Sequence, residues 1–348
     1  MHIAFDIIHP AHVHFFAPTI KDFISTGHTV RVFSRHKELV CELLDDYGIH
    51  HQTLSTARTG VAGLLFEMIV HQGGILKNII WDKPDVITAL GGPLCTHISR
   101  FRRCPVAIFT DTHIAKIQNA ITLPFASKIF IPDCYPGPFY YMDKKFITYP
   151  GYHELAYLHP NRFKPDKNIK QKLGVPENGS FSILRFTAWE SSHDFTVEGL
   201  SIDQKRQIVK SLLSRGKVFI SSEKPLEGEL AEYQYPLPGS TMHHALASAS
   251  MVVGESATMV SEAVVLGTPG IFISPIPRCY TDEQDVKYKM ARTFRSDQFT
   301  EILDTIKLWS TPESIISMDM QHKLLLTDKI DVTNFIKEVL TQMATNSL

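Results

Sequence analysis

The segment richest in possible chemistry is GESATMVSEAVVLGTPGI, from Gly254 to Ile271. An apolar run ends at Gly254, and Ser256, Ala257, Thr258 and Met259 stand where a helix begins. The first amides of a helix have no intrahelical acceptor and sit at the positive end of its dipole, so the spacing predicts a phosphate-binding site on these four residues. Glu262 lies one turn further in, where a carboxylate can accept hydrogen bonds from both ribose hydroxyls of a nucleotide. Plain N-capping by Ser256 with a solvated Glu262 explains the same residues without a ligand.

A second cluster, Asp6, His9, His12 and His14, crowds the end of the first apolar run. An unperturbed imidazole titrates at about 6.5, close to physiological pH, which suits a general base acting on a hydroxyl. His12 is the favoured base, with His9 beside it. Helix capping or packing is the structural alternative. A metal is not expected, because His-x-x-His-x-His entering a helix has no one-face ligand spacing and no Cys or carboxylate set accompanies it. Asp111, His113 and Asn119 follow another apolar run, Val106 to Phe109. Asp111 is there a partner or rival base, or else a helix N-cap.

Arg185 and the WESSHD run from Trp189 to Asp194 close a strand beginning near Ser182. A guanidinium binds phosphate bidentately and so suits a departing diphosphate, with His193 adding ligand contacts. Ser221, Ser222 and Glu223 close the next strand and are expected in the same site. A structural salt bridge is the alternative for Arg185.

These residues need a scaffold that brings strand ends together. Apolar runs at His2–Ile8, Thr29–Phe33, Val86–Leu90 and Val106–Phe109 alternate with helical spacing, and the pattern returns after residue 176 at Ser182–Phe186, Val218–Ser221, Met251–Gly254 and Gly270–Ser274. Alternating βα units imply parallel sheets, whose ligands lie beyond the carboxyl ends of the strands. A Pro-containing lapse between Pro150 and Pro176 marks the junction, and 348 residues suit two domains. The expected organisation is an N-terminal Rossmann-like domain over 1–155, with a helix from 329–348 packing back on it, and a second Rossmann-like domain over 156–328.

Composition narrows the function. A hydrophobic share of 44% with 20% charged residues describes a packed globular chain, and a net charge of -1 argues against nucleic acid as the partner. Five scattered cysteines without a CxxC pair suggest neither disulfides nor zinc, and fit a reducing cytoplasm. MHIAFDIIHP reads as a first strand rather than a leader. The apolar stretch Val61–Trp81 is interrupted by Glu67, His71 and Lys77 and fails as a spanning helix. With the basic cluster Arg100, Arg102 and Arg103 it suits peripheral contact with an anionic membrane, or else forms a buried helix. No GxGxxG follows the first strand, so a dehydrogenase is not expected.

The Gly254–Ile271 segment resembles the donor-binding motif of GT-B glycosyltransferases, including the peptidoglycan N-acetylglucosaminyltransferase, and of UDP-N-acetylglucosamine 2-epimerases. DIIHPAHVHFF, NAITLPFASKIFIP, YPGYHELAYL, LRFTAWESSHD and KVFISSE run with it, in order, from Asp6 to Pro269, and together resemble the family numbered 354 among domains of unknown function. The resemblance implies a GT-B fold, with two Rossmann-like domains whose parallel sheets face a central cleft. It further implies that Glu283 and Gln284 touch sugar hydroxyls. Gly151 to Glu154 resemble the Gly-Asn turn entering the second domain, but Tyr152 stands where Asn is usual. The implied function is a glycosyltransferase without metal or redox cofactor, moving a sugar from a UDP-sugar to a glycan or lipid-linked acceptor of surface polysaccharide or glycolipid assembly. The implied location is cytoplasmic, at the inner face of the membrane. An epimerase or hydrolase acting on the nucleotide-sugar alone is the alternative, since acidic groups of the N-terminal domain do the proton chemistry in the 2-epimerases. A non-catalytic nucleotide-sugar-binding protein is the third reading.

Overall fold

Strands buried on both faces need continuous apolar runs, and the sheets of this protein are built from such runs. The computed structural model describes residues 1–37, 39–98, 104–137, 143–186, 200–222 and 225–346. The chain divides into one unit comprising Met1–Tyr157 with Ile330–Leu348, and a second comprising Leu158–Lys329.

In the first unit, β1 (His2–Ile7), β2 (Thr29–His36), β3 (Gln52–Thr56), β4 (Val86–Leu90), β5 (Val106–Phe109), β6 (Lys128–Pro132) and β7 (Phe146–Tyr149) form a parallel sheet in the order β3-β2-β1-β4-β5-β6-β7. Helices α1 (Pro10–Ser25), α2 (Val40–Asp46), α3 (Gly60–Ile79) and α4 (Lys116–Thr122) supply connections between them. Ala4, Phe33, Ile87, Ile108 and Ile129 share one core cluster of this sheet.

In the second unit, β8 (Phe181–Arg185), β9 (Lys217–Ser221), β10 (Met251–Gly254), β11 (Gly270–Ile273) and β12 (Ala291–Phe294) form a parallel sheet in the order β12-β11-β10-β8-β9. Its helices include α5 (Ile202–Leu213), α6 (Met242–Leu246), α7 (Ala257–Val265), α8 (Cys279–Val286), α9 (Phe299–Leu308) and α10 (Pro312–Asp328). A full capping box at Ser201 and Gln204 starts α5, and Gly267, at φ +98°, follows the end of α7, where a side chain would be strained. Leu184, Ile208, Ile220, Val253 and Ile302 fill this core.

The final helix, α11 (Val332–Ala344), returns to the first unit. Phe335 packs on Phe130 and Tyr149, Thr333 donates to the Ala156 carbonyl at 2.7 Å, and Lys337 pairs with Asp22 at 2.8 Å. Among the described residues, no helix is long and apolar enough to cross a membrane.

Each sheet reverses its winding once. The reversal lies between β1 and β4 in the first unit and between β8 and β10 in the second. Such switch points open a crevice beyond the carboxyl ends of the two strands, because the following connections leave in opposite directions.

Candidate functional site

At the switch point of the second unit, Arg185 ends β8, Ser221 ends β9 and Gly254 ends β10, in register with one another. The Arg185 Nη1 lies 3.3 Å from the Ser221 hydroxyl, which steadies the guanidinium beyond the sheet edge. A Cβ on Gly254 would overlap the Arg185 carbonyl, so glycine is what lets these strands close up here. Ser256 caps α7 by accepting from the Met259 amide at 3.4 Å. That cap occupies one of the amides expected to bind phosphate; Ala257 and Thr258 also stand in the first turn. Capping by Ser256 is thus present at a helix end whose dipole favours an anion.

Glu262 is buried in α7 and bonded to His243 Nε2 of α6 at 3.0 Å. It is not the solvated carboxylate of the plainer reading. His243 belongs to this site and was not foreseen, because a lone His in TMHHAL carries no signal until the fold sets it against Glu262. Its neighbour His244 is turned away, stacked on Phe163 and accepting from the Asp166 amide at 3.1 Å. Ser222 is half-buried just past β9. Glu283, expected at a sugar, pairs with Lys329 at 2.7 Å, while Gln284 is buried and donates to Ser261 at 2.8 Å. Glu223, His193 and the WESSHD run lie outside the described residues.

In the first unit the three loop histidines separate by role. His9 is the N-cap of α1, its Nδ1 accepting from the Ala11 amide at 3.3 Å. His14 is held by the Tyr47 hydroxyl at 3.0 Å and lies against Tyr157. His12 sits between, its Nδ1 3.5 Å from the Ile8 amide. Burial, together with the neighbouring His9, His153 and Lys37, lowers its pKa to about 3, against a weaker opposite pull from Asp111. Burial thus holds this imidazole well below the ordinary range on which its choice as a base rested. An Nδ1 facing that amide places the ring proton on Nε2.

Asp111 follows β5 and faces His153 of the 3₁₀ turn His153–Ala156, with Oδ2 3.2 Å from Nδ1. Burial would raise this carboxyl, but His153 and a 2.7 Å hydrogen bond from Thr112 outweigh it and hold the pKa at about 2. A carboxylate on Nδ1 fixes the tautomer and leaves the Nε2 lone pair of His153 for proton transfer. Among the described residues His153 Nε2 is buried and has no hydrogen-bond partner. The sequence marked Asp111 as a partner or rival base, or a helix N-cap, and His153 only as part of a turn; the structure pairs the two. His113, on the same loop, meets the Tyr135 ring edge-on at 6.1 Å. Asp6 belongs elsewhere: it is fully buried and bonded to His71 at 2.8 Å.

A family model described as a protein of unknown function, DUF354, matches residues 1–341. An uncharacterized protein of Methanocaldococcus jannaschii is 23% identical over 288 residues, which cover 78% of this chain and 81% of that protein. Among solved structures, a UDP-GlcNAc 2-epimerase from Neisseria meningitidis bound to UDP-GlcNAc superposes with a TM-score of 0.69 at 13% identity, covering 98% of this chain and 100% of the other. The glycotransferase of kitacinnamycin superposes with a TM-score of 0.68 at 12% identity, covering 99% of both chains. At such identities the likeness establishes the fold, which is that of GT-B enzymes: two α/β units with parallel sheets.

Proposed function

The chain belongs to the DUF354 family, and from that premise we propose that it is a glycosyltransferase moving a sugar from a nucleoside-diphosphate donor, a UDP-sugar, to a glycan or lipid-linked acceptor in surface polysaccharide or glycolipid assembly. The observation that carries this reading is the convergence at the switch point of the second unit. Arg185, the bare Gly254, the capped start of α7 and the buried Glu262 follow one another outward from the strand ends. A diphosphate meets a guanidinium and helix amides there, and a ribose diol meets a carboxylate. The choice of uridine draws on the similar Neisseria meningitidis fold, whose structure holds UDP-GlcNAc.

In this reading residues 158–329 form the donor domain, and residues 1–157 with α11 the acceptor domain. His153, oriented by Asp111, takes the proton of the acceptor hydroxyl as that oxygen bonds to the sugar and the bond to the diphosphate breaks. Arg185 and the α7 dipole hold the charge that develops on the departing diphosphate, which leaves no step that requires a metal or redox cofactor. His12 donates from Nε2 to an oxygen nearby.

A reaction on the nucleotide-sugar alone, epimerisation or hydrolysis, uses the same donor site and is kept as a second reading because of the ionised Asp111 beside a histidine. One experiment separates the two. Purified protein is incubated with UDP-GlcNAc and other UDP-sugars without acceptor and followed by NMR. A donor that is bound and stays intact supports the transferase. Epimerised sugar or free UDP moves the assignment to the second reading.

A further inference from the structure

Helix α3 is inside out. Its buried positions recur every four residues, at Glu67, His71, Ile75 and Ile79, and the first two are polar. They are held by a buried chain of hydrogen bonds: Arg35 pairs with Glu67, Ser55 donates to Glu67 at 3.2 Å and bonds His71 Nδ1 at 2.8 Å, and His71 Nε2 bonds Asp6 at 2.8 Å. Breaking such a network leaves buried charges without partners, so it fixes which face of α3 is turned inward. The outward face is then apolar. Val61 is 79% exposed, Ile69 70% and Trp81, just beyond the helix, 93%, with Leu65, Phe66 and Val70 exposed between them. This is an apolar helical stripe oriented toward solvent by design of the polar face beneath it, and the buried-helix alternative for Val61–Ile80 is set aside.

The charges around the stripe indicate what covers it. Between Ala57 and Lys83 the exposed cations are Arg58, Lys77 and Lys83, and the two acids are already engaged, Glu67 by Arg35 and Asp82 by Arg31 at 2.6 Å. Arg58 lies over the Phe66 ring at 4.5 Å, at the border of the stripe. A second copy packed about a twofold axis would set this cationic border against itself. An anionic lipid surface neutralises it, and a fully exposed Trp81 suits the headgroup level of a bilayer.

We propose that α3 docks in the plane of an anionic phospholipid bilayer, with Val61, Leu65, Phe66, Ile69 and Trp81 entering the interface and Arg58, Lys77 and Lys83 meeting the headgroups. This surface stands independently of the reaction proposed above. The test is co-sedimentation of the full chain with vesicles of phosphatidylglycerol and phosphatidylcholine in equal parts, and with phosphatidylcholine alone. Binding is expected on the anionic vesicles and at least ~10-fold weaker on the neutral ones, with the paired Leu65→Gln and Ile69→Gln substitutions abolishing it. Reversal of Arg58, Lys77 and Lys83 to Glu is expected to weaken it by at least ~100-fold, since each cation near such a surface contributes about a fivefold gain. All five side chains are at the surface and outside the buried network, which Arg58 joins only through its backbone amide on Glu67 at 3.1 Å, and an unchanged thermal transition verifies the fold. No binding to either vesicle, equal binding by the variants, or a dimer in solution dispersed by Leu65→Gln with Ile69→Gln overturns the proposal, the last by assigning the stripe to a second copy.

Discussion

Two histidines far apart in sequence illustrate how environment assigns roles at the level of the single residue. His12 occupies the loop where a base is expected, yet burial above all holds its pKa far below the ordinary imidazole range. His153 occupies a turn noted only for its resemblance to a domain entrance, yet Asp111 engages its Nδ1. If His153 is the base, His153→Gln lowers kcat by about 10²–10⁴-fold with donor affinity unchanged, and Asp111→Asn follows it in the same direction, because the amide no longer fixes the tautomer. Steady-state kinetics on the UDP-sugar that binds tightest would settle this; a kcat within a factor of three of the parent for His153→Gln removes the histidine from the mechanism. The motif Gly254–Ile271 and the strand-end Arg185 were legible in the sequence because their signals are local: a strand, a glycine, a capping serine and a carboxylate one turn on. The pairs His243–Glu262 and His153–Asp111 were not, because each joins two elements that only the folded chain brings together.

At the level of elements, the same division between local and long-range information holds. Strands β1, β2, β4, β5 and β8 to β11 announce themselves as apolar runs. Of the remaining strands, β3 with QTLST, β7 with FITY and β12 with ARTF are sheet edges, half exposed and therefore free of the continuous apolar pattern, whereas the interior β6, KIFIP, is a short buried apolar run not singled out as a strand above. Helix α3 was legible as apolar but not as inverted, because the burial of Glu67 and His71 depends on Arg35, Ser55 and Asp6 from three different strands. That dependence is measurable. Glu67→Ala leaves the Arg35 guanidinium without its buried partner, and urea denaturation should report a loss of about 3–5 kcal/mol. A loss below about 1 kcal/mol would mean that the network does not hold the helix.

On the scale of the whole molecule, the chain leaves its first unit at residue 157, builds a second, and returns to complete the first with α11. Val332, Ile336, Val339, Leu340 and Met343 are all buried by that return. Five such side chains at about 1.5–3 kcal/mol each are together comparable to the ~5–15 kcal/mol that keeps an ordinary domain folded. Removal of residues 330–348 should therefore abolish the thermal transition of the first unit while leaving that of the second, as read by calorimetry. Two transitions surviving the truncation would contradict this assignment of the core. The second unit closes its own sheet, and on this account it alone holds the nucleotide.

The most direct measurement is an isothermal titration of the intact chain with UDP-sugars, repeated for Arg185→Ala and Glu262→Ala. The account predicts saturable binding by the parent protein and at least ~10-fold weaker binding by each variant, since each loses a charge-assisted hydrogen bond to the ligand. Unchanged affinity in both variants, or no binding of any nucleotide-sugar by the parent, would contradict the placement of the donor at the switch point between β8 and β10.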